Sequence, residues 1–191
     1  EVLQVFDKPY NFRIVGGYTG SGKTDILTEL HKRGEQIIDL ENLAGHRGSA
    51  FGGIDKPPQP TQEMFENTLA QHLMQSNTAK HLWVEDESQR IGVLNIPHNL
   101  WKTMRNSPVF FIDLPFHIRL KSIVTSYGNL NRGKLIEAVQ RIQKRLGPLE
   151  TKITIEHLQA GNIPEAFAML LKYYDKFYLK GLHNRKNVEQ Q

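Results

Sequence analysis

Gly17-Tyr18-Thr19-Gly20-Ser21-Gly22-Lys23-Thr24 fits the phosphate-loop pattern G-x-x-x-x-G-K-[ST] at every fixed position. Its glycines let the backbone turn tightly and aim successive N–H groups at phosphate oxygens. Lys23 places a compact positive charge on the outer phosphates, and the Thr24 hydroxyl can ligate a magnesium ion. The flanks agree. Phe12-Arg13-Ile14-Val15 reads as a strand entering the loop. Asp25 to Arg33 reads as a helix leaving it, with Ile26, Leu27 and Leu30 on one face and Gly34 as its C-terminal cap. The helix N-terminus adds partial positive charge at the same place. An isolated glycine turn would lack this strand–loop–helix frame, so the chain is read as binding a phosphorylated ligand.

Outward from the loop, strands and helices alternate. Gln36-Ile37-Ile38-Asp39-Leu40 reads as a short buried strand ending at Glu41, and a long loop follows with Gly45-His46-Arg47-Gly48-Ser49. Thr61-Gln62-Glu63 caps a helix whose Met64, Phe65, Leu69 and Leu73 form an apolar stripe. His81 to Glu87 is an apolar strand running into three carboxylates, Ile96-Pro97 opens a helix through Leu100, Trp101 and Met104, and Val109 to Leu114 reads as the most buried strand. This alternation predicts an α/β fold, a P-loop NTPase-like parallel sheet with helices on both faces, over residues 1–115. After Pro115 the pattern is helical: Phe116–Tyr127, Lys134–Leu146, Thr154–Ala160 and Pro164–Leu179. Residues 116–182 are therefore expected to form a basic helical C-terminal extension completing the domain, and 183–191 a flexible polar tail.

The 191 residues, 39% hydrophobic and 23% charged, suit one globular domain. No apolar run is long enough for a bilayer, so no membrane partner is expected. The absence of cysteine excludes a disulfide and a thiol nucleophile and fits a reducing cytoplasm. The eight histidines lack zinc-site spacing. Charge is lopsided. Residues 99–191 hold 15 of the 24 Lys and Arg but only 7 of the 20 Asp and Glu. Between Arg119 and Lys152 eight basic residues face two acidic ones, which is either a solvated surface or the footprint of a polyanion site.

Glu85 and Asp86 stand where a P-loop protein keeps a second acidic strand end that holds magnesium, the alternative being a surface carboxylate cluster. His46-Arg47-Gly48-Ser49 should face the same crevice, where an arginine beside glycines can grip phosphate with two donors. Arg119 could reach across to a phosphate. Arg132, Lys134, Arg141, Lys144 and Arg145 could form a lid over a nucleotide or a platform for RNA backbone. Tyr173, Tyr174, Phe177 and Tyr178 invite a base-stacking reading, although their helical spacing favours core packing.

Four ordered segments carry a resemblance: Gly17–Thr24, Ile38–Gly52, Gln59–Asn67, and Trp83–Ser88 followed by Ile91-Gly92. Together they resemble the P-loop domain of bacterial tRNA 2-selenouridine synthase, over most of Val15–Pro108. The resemblance implies a two-step transferase acting on the wobble uridine of tRNA. Geranyl diphosphate alkylates the 2-thiouridine sulfur, and selenium from selenophosphate then displaces the geranylated sulfur. Both small substrates carry phosphate, so the loop is useful without ATP hydrolysis, and ATP becomes the runner-up ligand. Gly20, Ser21, Gly22, Lys23 and Thr24 are the positions carried over for the diphosphate or selenophosphate, with His46, Arg47 and Ser49 as neighbours. Lys23 and Arg47 are the expected catalytic groups. Mg²⁺ at Thr24 is a further expectation, and Phe51, Phe65, Trp83 and Trp101 are available for a prenyl pocket. The basic half is expected to hold tRNA phosphates. The family also carries a rhodanese-like domain with a catalytic cysteine. A cysteine-free chain corresponds to the other domain, whether excised, encoded by a split gene or a relative lacking that chemistry, with a separate rhodanese-like domain as partner. The rival readings are an ATP-dependent small-molecule or nucleotide kinase and a non-catalytic RNA-binding module.

Overall fold

A computed structural model describes residues 2–183 and 185. Four strands, β1 (Phe12–Gly17), β2 (Gln36–Ile38), β3 (Leu82–Glu85) and β6 (Val109–Ile112), form a parallel sheet in the order β2-β3-β1-β6. Phe12 pairs with Leu82 and Ile14 with Val84, while Ile14 also pairs with Val109. Side chains alternate across a strand. Phe12, Ile14, Ile38, Leu82 and Val84 therefore share one face, and they join a core with α1 (Val2–Val5), α4 (Gln62–Gln75) and α5 (His98–Arg105). The helix leaving the phosphate loop, α2 (Lys23–Lys32), packs on β1, β2 and β3. The expected α/β P-loop architecture is what the chain adopts.

Local chemistry sets the helix starts. Thr61 Oγ1 accepts from Met64 N at 3.2 Å to cap α4. Asp39 Oδ1 accepts from Asn42 N at 2.8 Å and starts α3 (Leu40–Ala44), so Leu40 lies in a helix and not in the strand expected for it. A short antiparallel pair, β4 (Arg90–Ile91) and β5 (Leu94–Asn95), leads into α5. The strand read as most buried is a sheet edge: Phe110 is 46% exposed and Phe111 37%. An apolar run looks alike in a central strand and in an edge strand that packs aromatic rings, which is why the pattern misled.

Beyond Pro115 come α6 (Phe116–Tyr127), α7 (Arg132–Arg141), α8 (Gln143–Leu146), α9 (Pro148–Ala160) and α10 (Ile163–His183). The helix expected over 134–146 is broken at Ile142, and α9 starts at Pro148, whose fixed φ suits a first helical turn. These helices build a second core around Leu135, Val139, Leu158, Phe167 and Leu170, into which Phe51 inserts from the loop after α3. Most of the expected tail lies outside the described residues. Arg185, within it, is buried and paired with Asp86.

Candidate functional site

Loop 17–24 is held by its surroundings. Gly20 has φ +81°, and a Cβ there would meet the Arg119 carbonyl oxygen at 2.9 Å; Gly17 has φ +150°, and a Cβ there would meet Ser21 Oγ at 2.5 Å. Both positions require glycine. Lys23 Nζ donates to the Gly17 carbonyl at 3.1 Å across the loop. Ser21 is buried, and its Oγ has no hydrogen-bond partner among the described residues.

The two acids at the end of β3 part company. Val84 faces the core, so Glu85 points to the opposite face, where α2 begins. Its Oε2 accepts from Thr24 Oγ1 at 3.4 Å and its Oε1 from Glu41 N at 3.1 Å. Asp86 points the other way and accepts from Tyr178 Oη at 2.8 Å and from Arg185, with Arg105 Nη1 at 4.0 Å. It is thus a structural anion and not the expected neighbour of a metal. Instead, Glu41 and Glu87 join Glu85, with one carboxylate oxygen from each within 4.8 Å of the others. Sequence reasoning stopped at Glu85 and Asp86. The signal for Glu41 was its place just after β2, which lies beside β3.

Burial first, and then the neighbouring Glu41 carboxylate, push the Glu85 pKa up to about 8. Burial, with Asp39 nearby, raises Glu41, and burial with the Glu41 and Glu85 carboxylates raises Glu87. Between pH 4.5 and about 8 folded Glu85 keeps a proton that the unfolded chain releases. Stability therefore falls as pH rises through that window. Glu85→Gln keeps the shape without the charge. In chelator at pH 8 it is expected to melt roughly 5 °C above the wild type and to flatten the pH dependence. Thermal melts across the window test this, and a flat wild-type curve would refute it.

A cleft of about 1810 Å³ opens above these groups. The loop after α3 does face it: a Cβ on Gly48 would lie 3.0 Å from both Glu41 Oε1 and Glu87 Oε2. Arg47 is exposed, with its guanidinium 5.5 Å from the Tyr127 ring centroid, and Ser49 lines the same wall. His46 Nδ1 is buried without a partner among the described residues, and burial, with Lys56 and Arg141 nearby, holds its pKa down. Phe51 and Trp101 line the cleft. Phe65 is in the sheet core, and Trp83 packs on Phe110 with Nε1 donating to Glu35, so neither belongs to a prenyl pocket here.

The basic run divides. Arg141, Lys144 and Arg145 line the cleft, and Arg141 Nη2 donates to the Ala50 carbonyl at 3.1 Å. Lys134 pairs with Asp55 at 2.6 Å, and Arg132 lies near Gly161 at the end of α9. Arg119 does not reach a phosphate position. It is 3% exposed, grips Asp175 of α10 with two bonds of 2.8 and 2.7 Å, and donates from Nη1 to the Thr19 carbonyl at 3.1 Å. Its role is to brace the loop.

Comparison with known proteins now fits this geometry. Residues 10–190 match the family model described as the tRNA 2-selenouridine synthase AAA domain. The chain belongs to that family. It is 34% identical to the tRNA 2-selenouridine synthase of Bdellovibrio bacteriovorus, over 90% of this chain and 55% of the relative. It is 33% identical to that of Nitrosomonas europaea, over 90% and 45%, and to that of Shewanella halifaxensis, over 93% and 56%. The chain spans about half the length of these relatives. No helix among the described residues is long and apolar enough to cross a membrane.

Proposed function

We propose that this chain is the substrate-binding P-loop domain of a tRNA-modifying transferase. In this reading loop 17–24 binds geranyl diphosphate and then selenophosphate, while tRNA presents wobble 2-thiouridine for conversion to 2-selenouridine. The observation that carries the reading is the pairing, in one cleft, of loop 17–24 with an apolar wall of Phe51, Ile123, Phe167, Leu170 and Leu171. An amphiphilic diphosphate needs both. The 2-thiouridine sulfur attacks the geranyl carbon bonded to oxygen, the S–C bond forms, the C–O bond breaks and diphosphate leaves. The uracil N3 proton is lost in the same conversion. Lys23 and the loop amides stabilise the leaving diphosphate, and Arg47 lines the same cleft. The selenophosphate selenium then attacks C2, the C–Se bond forms as the C–S bond breaks and geranylthiol leaves, and water cleaves the Se–P bond to release phosphate. These 191 residues hold no cysteine, so in this reading a thiol that handles selenium comes from outside them, on a rhodanese-like domain.

The oxygen donors Glu41, Glu85 and Glu87, with Thr24 beside them, fit a hard divalent cation. Bound Mg²⁺ would supply charge neutralisation for the carboxylates and the diphosphate. The kinase alternative is disfavoured by Arg119, which Asp175 withholds from any phosphate.

The test incubates the chain with 2-thiouridine tRNA and geranyl diphosphate and follows the nucleoside by mass spectrometry. The S-geranylated nucleoside is expected, with geranyl diphosphate raising the melting temperature more than ATP–Mg²⁺ does. Stabilisation by ATP–Mg²⁺ alone would favour the kinase. RNA binding with no response to any diphosphate would favour a non-catalytic module.

A further inference from the structure

Helix α10 carries two neighbouring rows of aromatic rings, each at four-residue spacing, so that each row lies on one face. One row is anchored to the protein. Tyr174 Oη accepts from Ala50 N at 3.2 Å, and Tyr178 Oη accepts from Gly17 N at 3.0 Å while donating to Asp86. The other row, Tyr173 and Phe177, is not anchored in this way. These two rings pack on each other with centroids 4.8 Å apart and both line the cleft, Phe177 remaining 40% exposed. Core packing explains the first row and the inner side of Tyr173, which lies against the helical core, and leaves the exposed Phe177 unexplained.

The setting of the second row is cationic. Arg145 neighbours the Tyr173 phenol, and Lys144 lines the same cleft. The apolar wall of Phe51, Ile123, Phe167, Leu170 and Leu171, which takes the hydrocarbon in the reading above, lines the same cleft and is continuous with the helical core. An exposed Phe177 beside a half-buried Tyr173, framed by cations, fits a nucleobase with its phosphates better than a hydrocarbon tail. Position adds to this. Phe177 adjoins Tyr178, whose hydroxyl touches the first glycine of the phosphate loop. Phe177 and loop residues Thr19 to Thr24 line one cleft, so a base resting on Phe177 would share that cleft with the loop.

We propose that Tyr173 and Phe177 form a stacking platform for an unstacked base of the RNA substrate, with Lys144 and Arg145 taking the flanking phosphates. This rests on the tRNA reading above. A base whose 2-position reacts must leave the stack of its loop, and an aromatic platform lowers the cost of splaying it out.

Anisotropy titrations of a fluorescent anticodon stem–loop RNA, at several salt concentrations, test the platform. Phe177→Ala and Tyr173→Ala are each expected to weaken binding about tenfold, and Phe177→Trp to restore it. The slope of log affinity against log salt should stay unchanged in these ring variants, because no phosphate contact is lost. In Lys144→Ala the slope should shrink by about 0.7. Geranyl diphosphate affinity should match the wild type in all of them. Wild-type RNA affinity in Phe177→Ala would overturn the platform alone. Loss of geranyl diphosphate binding with RNA binding intact would reassign the rings to the prenyl tail. A wild-type chain that does not bind the RNA would overturn the tRNA reading, and the platform with it.

Discussion

Lys23→Ala is expected to slow alkylation of 2-thiouridine tRNA by roughly 10²–10³-fold, the range lost when one preorganised donor to a developing anion is removed. The ammonium already sits in the loop mouth, hydrogen-bonded to the Gly17 carbonyl at 3.1 Å. A diphosphate oxygen can replace that carbonyl with little reorganisation. Losing one half-buried hydrogen bond costs only about 1 kcal/mol of stability, so the variant should fold. Lys23→Arg should not rescue the rate, because the planar guanidinium is larger and cannot take the place of a compact ammonium between loop and phosphate. Single-turnover assays read by nucleoside mass spectrometry, with melts as a folding control, decide the matter. A folded Lys23→Ala chain that alkylates at the wild-type rate would remove loop 17–24 from the chemistry.

Loop 17–24 was legible in the sequence because its backbone shape depends on glycine at particular positions. Gly17 and Gly20 stand where a Cβ has no room, so spacing alone reveals them. The alternation of β1, α2, β2, α4, β3 and α5 was legible for a similar reason, since each element carries its own period of apolar residues. What was not legible depends on which side of an element meets a distant one. Glu85 and Asp86 are adjacent in sequence and face opposite sides of the sheet, and only the burial of Val84 decides which of them reaches Thr24. Glu41 and Glu87 come together across 46 residues because β2 and β3 are neighbours, an order that no local pattern states. Phe110 and Phe111 were misplaced because nothing in an apolar run marks the edge of a sheet.

Arg119 shows the same limit with the largest energetic consequence. From sequence it was a phosphate-seeking arginine after the fourth strand of the sheet; in the fold it ties α10 to the phosphate loop. Asp175→Ala would leave the Arg119 guanidinium buried with its positive charge unpaired. Breaking a buried pair from one side costs about 3–5 kcal/mol, equivalent to roughly 10 °C in melting temperature for a domain of this size. Replacing both partners with apolar residues of similar volume, Arg119→Met with Asp175→Leu, removes the stranded charge. Most of the lost stability should return, because such exchanges are often neutral. Ligand affinity should not return with it. The double variant still lacks the Nη1 donor that holds the Thr19 carbonyl at 3.1 Å and the cation that lies 4.7 Å from the Tyr18 ring centroid. Loop 17–24 would then sample conformations in which its amides no longer converge. Urea unfolding combined with calorimetric titration of geranyl diphosphate separates the two effects. If the double variant is less stable than Asp175→Ala, the pair contributes more than charge compensation. If it binds geranyl diphosphate like the wild type, Arg119 is no brace for the loop, and preorganisation of the phosphate loop must come from Lys23 and the glycines alone.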